Sequence, residues 1–240
     1  MLQDTIEALR AVALDADDAT GYFPAMYARV TDRIDRAAAA GEFGDGAGMV
    51  RFARSFAEWY LRPRSGVDPI PGSWRAAWEV GGDRRLLIVQ HLLLGINAHV
   101  NHDLPLVVIE VADEHGDLAG IRSDFDAVND VLAATMPEVL RDLGRASRWV
   151  NLAAAAGGGR LFRFSLTAAR DQAWRYAERC RPLGAADRER EAAALDETVR
   201  VLAYLVTRPA LPIRWLVPIA RRLEEDDPRR VVRDLLGGLA

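Results

Sequence analysis

Lysine is absent from this chain, and all 31 of its basic residues are arginines. Any mechanism that needs a lysine Schiff base or a lysine general base is therefore excluded. Cysteine is nearly absent too: Cys180 stands alone, so no intramolecular disulfide can form. A lone cysteine of this kind favours a small buried hydrophobic residue over a nucleophile.

Long apolar runs are also missing. No stretch approaches the roughly 18 consecutive apolar residues that a membrane span requires. The first residues lack the basic segment and the apolar run of a secretory signal peptide. A formal net charge of −4, with arginines spread among acids, gives no basic footprint for nucleic acid. These features predict a cytoplasmic protein with no nucleic-acid partner and no membrane partner.

Helical periodicity is the dominant pattern, and no alternation typical of strands persists. With 240 residues, 50% of them hydrophobic, the chain has ample material for a core. We predict an all-α, single-domain, multi-helix bundle over residues 1–240. Its motif-bearing part covers about 20–180, its C-terminal helices about 188–240, and its central buried helix about 84–101. Alanines and glycines over residues 153–159 predict a pliable connector or a hinge.

The most informative stretch runs from Asn97 to Pro105 and follows an apolar helical pattern. Polar groups placed against a core cost a few kcal/mol each unless they are satisfied, so this cluster needs an explanation. On a helix, His99, His102 and Asp103 share an arc of about 100° because they are three and four residues apart. His99 and Asp103 continue an apolar stripe that points inward.

Three interpretations of this cluster stay open. In the first, His99, His102 and Asp103 are ligands of a divalent metal such as zinc, iron or manganese, and other helices supply further ligands. In the second, one histidine is a general acid or base, and Asp103 or an asparagine fixes its tautomer. In the third, the residues form a buried hydrogen-bond network, in which Asp103 caps the following helix.

Side chains on other helices are candidates for binding a small-molecule substrate. Asn129 borders the inward stripe of its helix, and Arg170 and Trp174 form an i, i+4 pair beside another stripe. An inward arginine would bind an anionic substrate, or it would make a structural ion pair or cation–π contact. The remaining candidates are Asn97, Asn101, Tyr27 and Tyr60.

The same residues resemble an uncharacterised actinobacterial family of unknown function, whose members are all-helical. The family's motif G-[MI]-N-A-H-[IV]-N-H-D-L-P is matched in full by Gly95-Ile96-Asn97-Ala98-His99-Val100-Asn101-His102-Asp103-Leu104-Pro105. Weaker likenesses, such as Trp74 with Trp78, extend the resemblance to about residues 27–177. The resemblance implies an all-helical fold and a functional role for the cluster, but no reaction. One departure is Ala53, which stands where relatives have an acidic residue.

These observations favour an enzyme whose site is built on His99, His102 and Asp103. With a divalent metal, the expected chemistry is hydrolysis of a small molecule. The first alternative is a metal-independent acid–base enzyme, such as a lyase, isomerase or cyclase of secondary metabolism. The second is a non-catalytic ligand-binding or interaction protein whose His/Asn/Asp network is structural.

Overall fold

Every regular element in the described residues is a helix, so the predicted all-α fold is confirmed. The computed structural model describes the backbone of residues 1–155, 158–211 and 213–239, and their side chains outside 152–164, 213 and 238. The pliable connector predicted over residues 153–159 centres on residues outside this description. The α-helices are α1 (Gln3–Asp15), α2 (Tyr22–Ala39), α3 (Gly46–Arg64), α4 (Gly72–Trp78), α5 (Ile88–Ile96), α6 (Leu104–His115), α7 (Ala119–Ala146), α8 (Arg148–Ala155), α9 (Gly158–Cys180), α10 (Ala185–Thr207), α11 (Ile213–Arg221) and α12 (Pro228–Leu236).

A π-helical segment, Asn97–Asp103, joins α5 to α6, so that Ile88–His115 is one continuous helix of 28 residues. The backbone N–H of Leu104 donates to the carbonyl of His99, five residues earlier, as in a π-turn. Pro105 follows directly and has no N–H, and in a regular α-helix its ring would crowd the carbonyl four residues back. The wider turn accommodates this proline without a break in the helix.

Two predictions about this region are therefore wrong. The central helix was expected at about 84–101, but it begins at Ile88 and continues through Pro105 to His115. Asp103 was a candidate cap for the next helix, yet it has helical torsion angles and its side chain makes no capping hydrogen bond. The local signals of a helix start, an aspartate followed by a proline, occur here inside a helix.

The helix α2 lies against α1, α3, α5, α7 and α12. Its small residues Ala25 and Ala28 are fully buried, which lets these neighbours approach closely. The contact with α5 is close at Gly95, where an added Cβ would lie 2.5 Å from the Phe23 ring. The polar cluster of the π-segment is thereby brought against the aromatic face of α2.

Near the C-terminus, α12 packs against α1, α2 and α7 and completes the core. Val231, Val232, Leu235 and Leu236 are each at most 1% exposed. The Asp227 side chain accepts a hydrogen bond from the backbone N–H of Arg229 and caps the helix. The end of the chain thus covers helices from its beginning.

Among the residues that the structure describes, one helix is long and apolar enough to cross a membrane: the continuous helix Ile88–His115. Of its most apolar 18-residue window, 72% is buried inside the protein, as is usual for a core helix. A search for long runs of consecutive apolar residues does not detect this helix, because histidines and asparagines interrupt its apolar sequence.

Candidate active site

The carboxylate of Asp103 is the centre of the polar cluster, and its residue is fully buried. Its Oδ1 lies 2.7 Å from Nδ1 of His102, and its Oδ2 lies 3.1 Å from Nδ1 of His99. Oδ2 also accepts a hydrogen bond of 2.9 Å from the indole N–H of Trp74. Because a carboxylate accepts and does not donate, each histidine carries a proton on Nδ1. The other ring nitrogen, Nε2, is then the one available for chemistry.

The π-segment places the side chains of His99, His102 and Asp103 next to each other. Its two asparagines make their hydrogen bonds with other groups. Asn101 Nδ2 donates to Asn97 Oδ1 at 2.9 Å, and Asn97 Nδ2 donates to the carbonyl of Val199 in α10 at 2.9 Å. The two asparagines therefore fasten the segment to α10. Neither of them contacts Asp103 or His99 through a hydrogen bond in the described residues.

His99 lies in an aromatic environment. Its ring stacks on Phe56 with centroids 3.6 Å apart and planes at 8°, and Tyr27 meets it edge-on at 4.4 Å. Its Nε2 is buried and has no hydrogen-bond partner among the described residues. Burial lowers the pKa of the His99 imidazole, although the hydrogen bond and the charge of Asp103 act to raise it. The ring is therefore kept neutral, with a lone pair on Nε2.

An apolar cavity of about 100 Å³ lies beside His99. His99 is in its wall and Asp103 is not, although the Nε2 atom of His99 is itself buried beneath neighbouring atoms. Three of the four methionines of the chain, Met26, Met49 and Met136, also line it. The remaining wall is formed mainly by apolar side chains of α2, α3, α5, the π-segment and α7, with two residues of α9: Phe23, Tyr27, Val30, Thr31, Ile34, Phe52, Ala53, Phe56, Ile96, Val100, Val128, Leu132, Thr135, Val139, Leu166 and Arg170.

On the other side of the cluster, His102 faces α10. Its Nε2 lies 3.8 Å from Oδ1 of Asp196, whose side chain is 25% exposed. Asp196 accepts hydrogen bonds from the backbone N–H groups of Gly72 and Ser73, at 2.7 and 2.8 Å. Partial burial acts to raise the pKa of Asp196, but these hydrogen bonds and the neighbouring His102 hold it below its ordinary value. A chain of polar groups therefore runs from the surface at Asp196, through His102 and Asp103, to His99.

The donor atoms of this cluster do not converge as metal ligands do. Both Nδ1 atoms face Asp103, whereas the Nε2 atom of His99 is buried without a partner among the described residues and that of His102 lies 3.8 Å from Oδ1 of Asp196. Within the part of the chain that the structure describes, no group of three or more His, Cys, Asp or Glu residues is placed to hold a metal ion. The donor set does not fit the mononuclear site expected from the spacing.

Arg170 is buried in the cavity wall, but its guanidinium is engaged elsewhere. Its Nε donates to Asn129 Oδ1 at 2.9 Å, its Nη2 donates to the carbonyl of Phe125, and its Cζ lies 4.2 Å from the Phe125 ring centroid. Burial lowers the pKa of Arg170 to about 10. These contacts match the structural cation–π interpretation. Trp174 packs on Phe125 at 5.1 Å and is not among the residues that line the cavity.

The two predicted tyrosines have different positions. Tyr27 lines the cavity and contacts the His99 ring, whereas Tyr60 is not in the wall and packs on Trp74 with centroids 4.9 Å apart. The buried hydroxyl of Tyr60 has no hydrogen-bond partner in the described residues. Burial raises the pKa of both phenols.

Sequence reasoning missed the roles of Trp74, Phe56 and Asp196. A buried tryptophan N–H needs an acceptor, which is a signal that Trp74 has a polar partner, but no local spacing identifies Asp103 as that partner. Asp196 gives no signal, because it lies in a charged helix that resembles a solvated one. Ala53, by contrast, was singled out, and it lies in the cavity wall.

Fold and site together define an all-helical protein with a buried His–Asp pair beside an apolar cavity. A family model described as "Family of unknown function (DUF5995)" matches residues 2–209. The chain belongs to this family. No curated protein matches the chain, and no solved structure does.

Proposed function

We propose that the protein is a metal-independent acid–base enzyme that acts on a small, largely apolar molecule, with Nε2 of His99 as the general base. The observation that carries this proposal is the unpartnered Nε2 itself, buried at an apolar cavity while Nδ1 is held by Asp103. A purely structural network would be expected to satisfy its buried polar atoms. The Tyr60 hydroxyl beside this network also lacks a partner among the described residues, but the Nε2 atom of His99 is a base, and His99 lines the cavity in which a ligand would lie.

In this proposal Asp103 is a positioning residue. By accepting a hydrogen bond from Nδ1–H it fixes the tautomer that presents a lone pair at Nε2, and its charge stabilises the imidazolium that forms when Nε2 takes a proton. Trp74 and His102 hold Asp103 through the hydrogen bonds at its two oxygens. The base is therefore oriented before any substrate binds.

The cavity favours proton transfer over hydrolysis. Its walls are almost wholly apolar, so a bound substrate displaces or excludes water. A base in such a site takes a proton from a C–H or O–H bond and returns it to another atom, which is the chemistry of an isomerase, a lyase or a cyclase. The three methionines make the wall adaptable, because their side chains are unbranched and flexible.

The first experiment measures binding. Methyl-¹³C methionine labelling gives one NMR resonance for each of the four methionines, and three of them belong to the cavity wall. We expect small cyclic ketones, with cyclohexanone as the first probe, to shift the resonances of Met26, Met49 and Met136 and to leave that of Met1 unchanged. Shifts confined to Met1 would contradict the assignment of the cavity as the ligand site.

The second experiment measures proton abstraction without knowledge of the product. The protein is incubated with the probe ketones in D₂O, and deuterium uptake at the carbon next to the carbonyl is followed by mass spectrometry. We expect uptake by the wild type, loss of uptake in His99→Gln, and a decrease of at least tenfold in Asp103→Asn. His91→Gln is the matched control, since His91 is also buried but packs against Tyr22 and is not among the residues that line the cavity.

Three outcomes would contradict the proposal. Equal uptake by the wild type and His99→Gln would show that His99 is not the base. Binding without uptake for the whole ketone panel would favour a ligand-binding protein. Uptake that EDTA abolishes and zinc restores would establish the metal-dependent alternative.

A further inference from the structure

The helix α11 exposes large apolar side chains to solvent. Trp215 is 74% exposed, Leu216 59% and Ile219 61%, and their spacing of three and four residues puts them on one side of the helix. Further large apolar residues are exposed before and after α11 in the sequence: Val201, Leu202, Tyr204, Leu205, Leu211 and Leu223. We refer to Trp215, Leu216 and Ile219 as the α11 face. A face of this kind marks an interaction surface rather than ordinary solvent exposure.

The charged residues of α11 itself are all arginines, whereas four acidic residues, 224–227, follow shortly after it in the chain. Residues 198–223 contain five arginines and no aspartate or glutamate, in a chain whose net charge is −4. Arg200 pairs with Glu197 and Arg221 pairs with Asp226, whereas the ion pairs between described side chains include none for Arg214 or Arg222. Arg214 and Arg222, at the two ends of α11, are both exposed.

These charges decide between the possible occupants of the face. In a symmetric dimer the same patch would meet itself, so the arginines of one copy would approach those of the other. An anionic bilayer surface instead complements the arginines, and it accepts tryptophan and aliphatic side chains at the depth of its headgroups. We propose that α11 is an interfacial helix that holds the protein on an anionic membrane surface.

The proposal is independent of the acid–base function, and it departs from the expectation of a protein without a membrane partner. It requires no spanning segment, because the α11 face would lie in the plane of the interface. The helix also lies beyond residue 209, where the family match ends. Membrane attachment would therefore be a property of this chain beyond the segment that it shares with its family.

The test is flotation of the full chain with vesicles, either of pure phosphatidylcholine or of phosphatidylcholine with 30% phosphatidylglycerol. We expect binding to the anionic vesicles, at least tenfold weaker binding to the neutral ones, and loss of binding in 0.5 M NaCl. Each arginine near an anionic surface contributes about fivefold to affinity, so Arg214→Glu with Arg222→Glu is expected to weaken binding at least 25-fold. Trp215→Ser with Ile219→Ser is expected to weaken it at least tenfold.

Matched controls separate this effect from net charge and from general apolar exposure. Arg36→Glu with Arg51→Glu changes the charge equally at exposed sites on α2 and α3, and Leu14→Ser removes an exposed apolar residue from α1. These variants are expected to bind as the wild type does. Equal binding by both arginine pairs would overturn the proposal, and so would failure to float with anionic vesicles. A dimer in sedimentation velocity that Trp215→Ser with Ile219→Ser dissociates would show that a second copy occupies the face.

Discussion

At the scale of single residues, His99 has two different edges. One edge donates to the buried carboxylate of Asp103, and the other, at Nε2, is buried without a partner among the described residues. Protonation of Nε2 would place a positive charge among aromatic rings, where no water can solvate it. The neutral ring is therefore the favoured form in the folded protein, and His99 takes up a proton more readily in the unfolded chain.

This coupling predicts a pH dependence of stability. In the unfolded chain a histidine has a pKa of about 6.5, and burial depresses the pKa of His99 in the folded protein. Between these two values the unfolded chain binds a proton that the folded protein does not, so the free energy of unfolding decreases as the pH falls. The loss amounts to about 1.4 kcal/mol for each unit by which the folded pKa is depressed. The stability that His99 contributes is fully present above about pH 6.5.

Urea unfolding at pH 7.5 and pH 5.5 measures this dependence. His99→Gln is expected to show a smaller loss between the two pH values than the wild type. Part of the dependence should survive in that variant, because burial lowers the pKa of His91 as well. An unchanged pH dependence in His99→Gln would be inconsistent with a buried neutral imidazole.

The sequence predicts only part of this site. Helical spacing correctly brings His99 and Asp103 together, because residues four apart share a side of a helix. The third donor to Asp103 comes from Trp74, and Asp196 approaches His102 from α10. Such contacts depend on how separate helices pack, and no local pattern records them.

At the scale of helices, the continuous helix Ile88–His115 depends on its fit against α2. Gly95 packs closely against α2, and an alanine Cβ there would meet the Phe23 ring at 2.5 Å. Gly95→Ala is therefore expected to destabilise the protein by about 1–3 kcal/mol, although alanine favours a helix over glycine by about 1 kcal/mol. Urea unfolding measures the change.

Gly82→Ala is the matched control, since a Cβ at Gly82 would meet nothing within 4 Å. Its effect should stay within about 0.5 kcal/mol. If Gly95→Ala and Gly82→Ala changed the free energy of unfolding equally, the close approach at Gly95 would make no specific contribution to stability.

The same helix shows why helix ends are hard to read from sequence. Asp103 followed by Leu104 and Pro105 has the composition of a helix start. In the structure the backbone widens into a π-turn, and the carboxylate is used by two histidines and a tryptophan instead of backbone N–H groups. Tertiary partners outweigh the local capping preference because they satisfy a fully buried charge.

At the scale of the whole molecule, α12 joins the end of the chain to its beginning. Leu236 is fully buried where α12 meets α1, α2 and α7. We expect Leu236→Ala to lower the free energy of unfolding by about 2–5 kcal/mol, a large share of the usual stability of a domain. Arg233, an exposed residue of the same helix, is the control, and Arg233→Ala should change the free energy of unfolding by less than about 0.5 kcal/mol.

Equal effects of these two substitutions, measured by urea unfolding, would show that α12 is not part of the cooperative core. At this scale the prediction from sequence is most complete, since periodicity alone indicates an all-α fold. Periodicity does not indicate that helices beyond residue 209, where the family match ends, contribute to the same core.

The methionine-lined wall has a consequence for oxidative conditions. Oxidation of a methionine to its sulfoxide replaces a flexible apolar group with a polar, chiral one, and reductases reverse the change. A single oxygen added to Met26, Met49 or Met136 would place a strong hydrogen-bond acceptor in the apolar cavity beside His99. Peroxide would therefore be expected to alter ligand binding before it alters the fold, and methionine sulfoxide reductase would restore it.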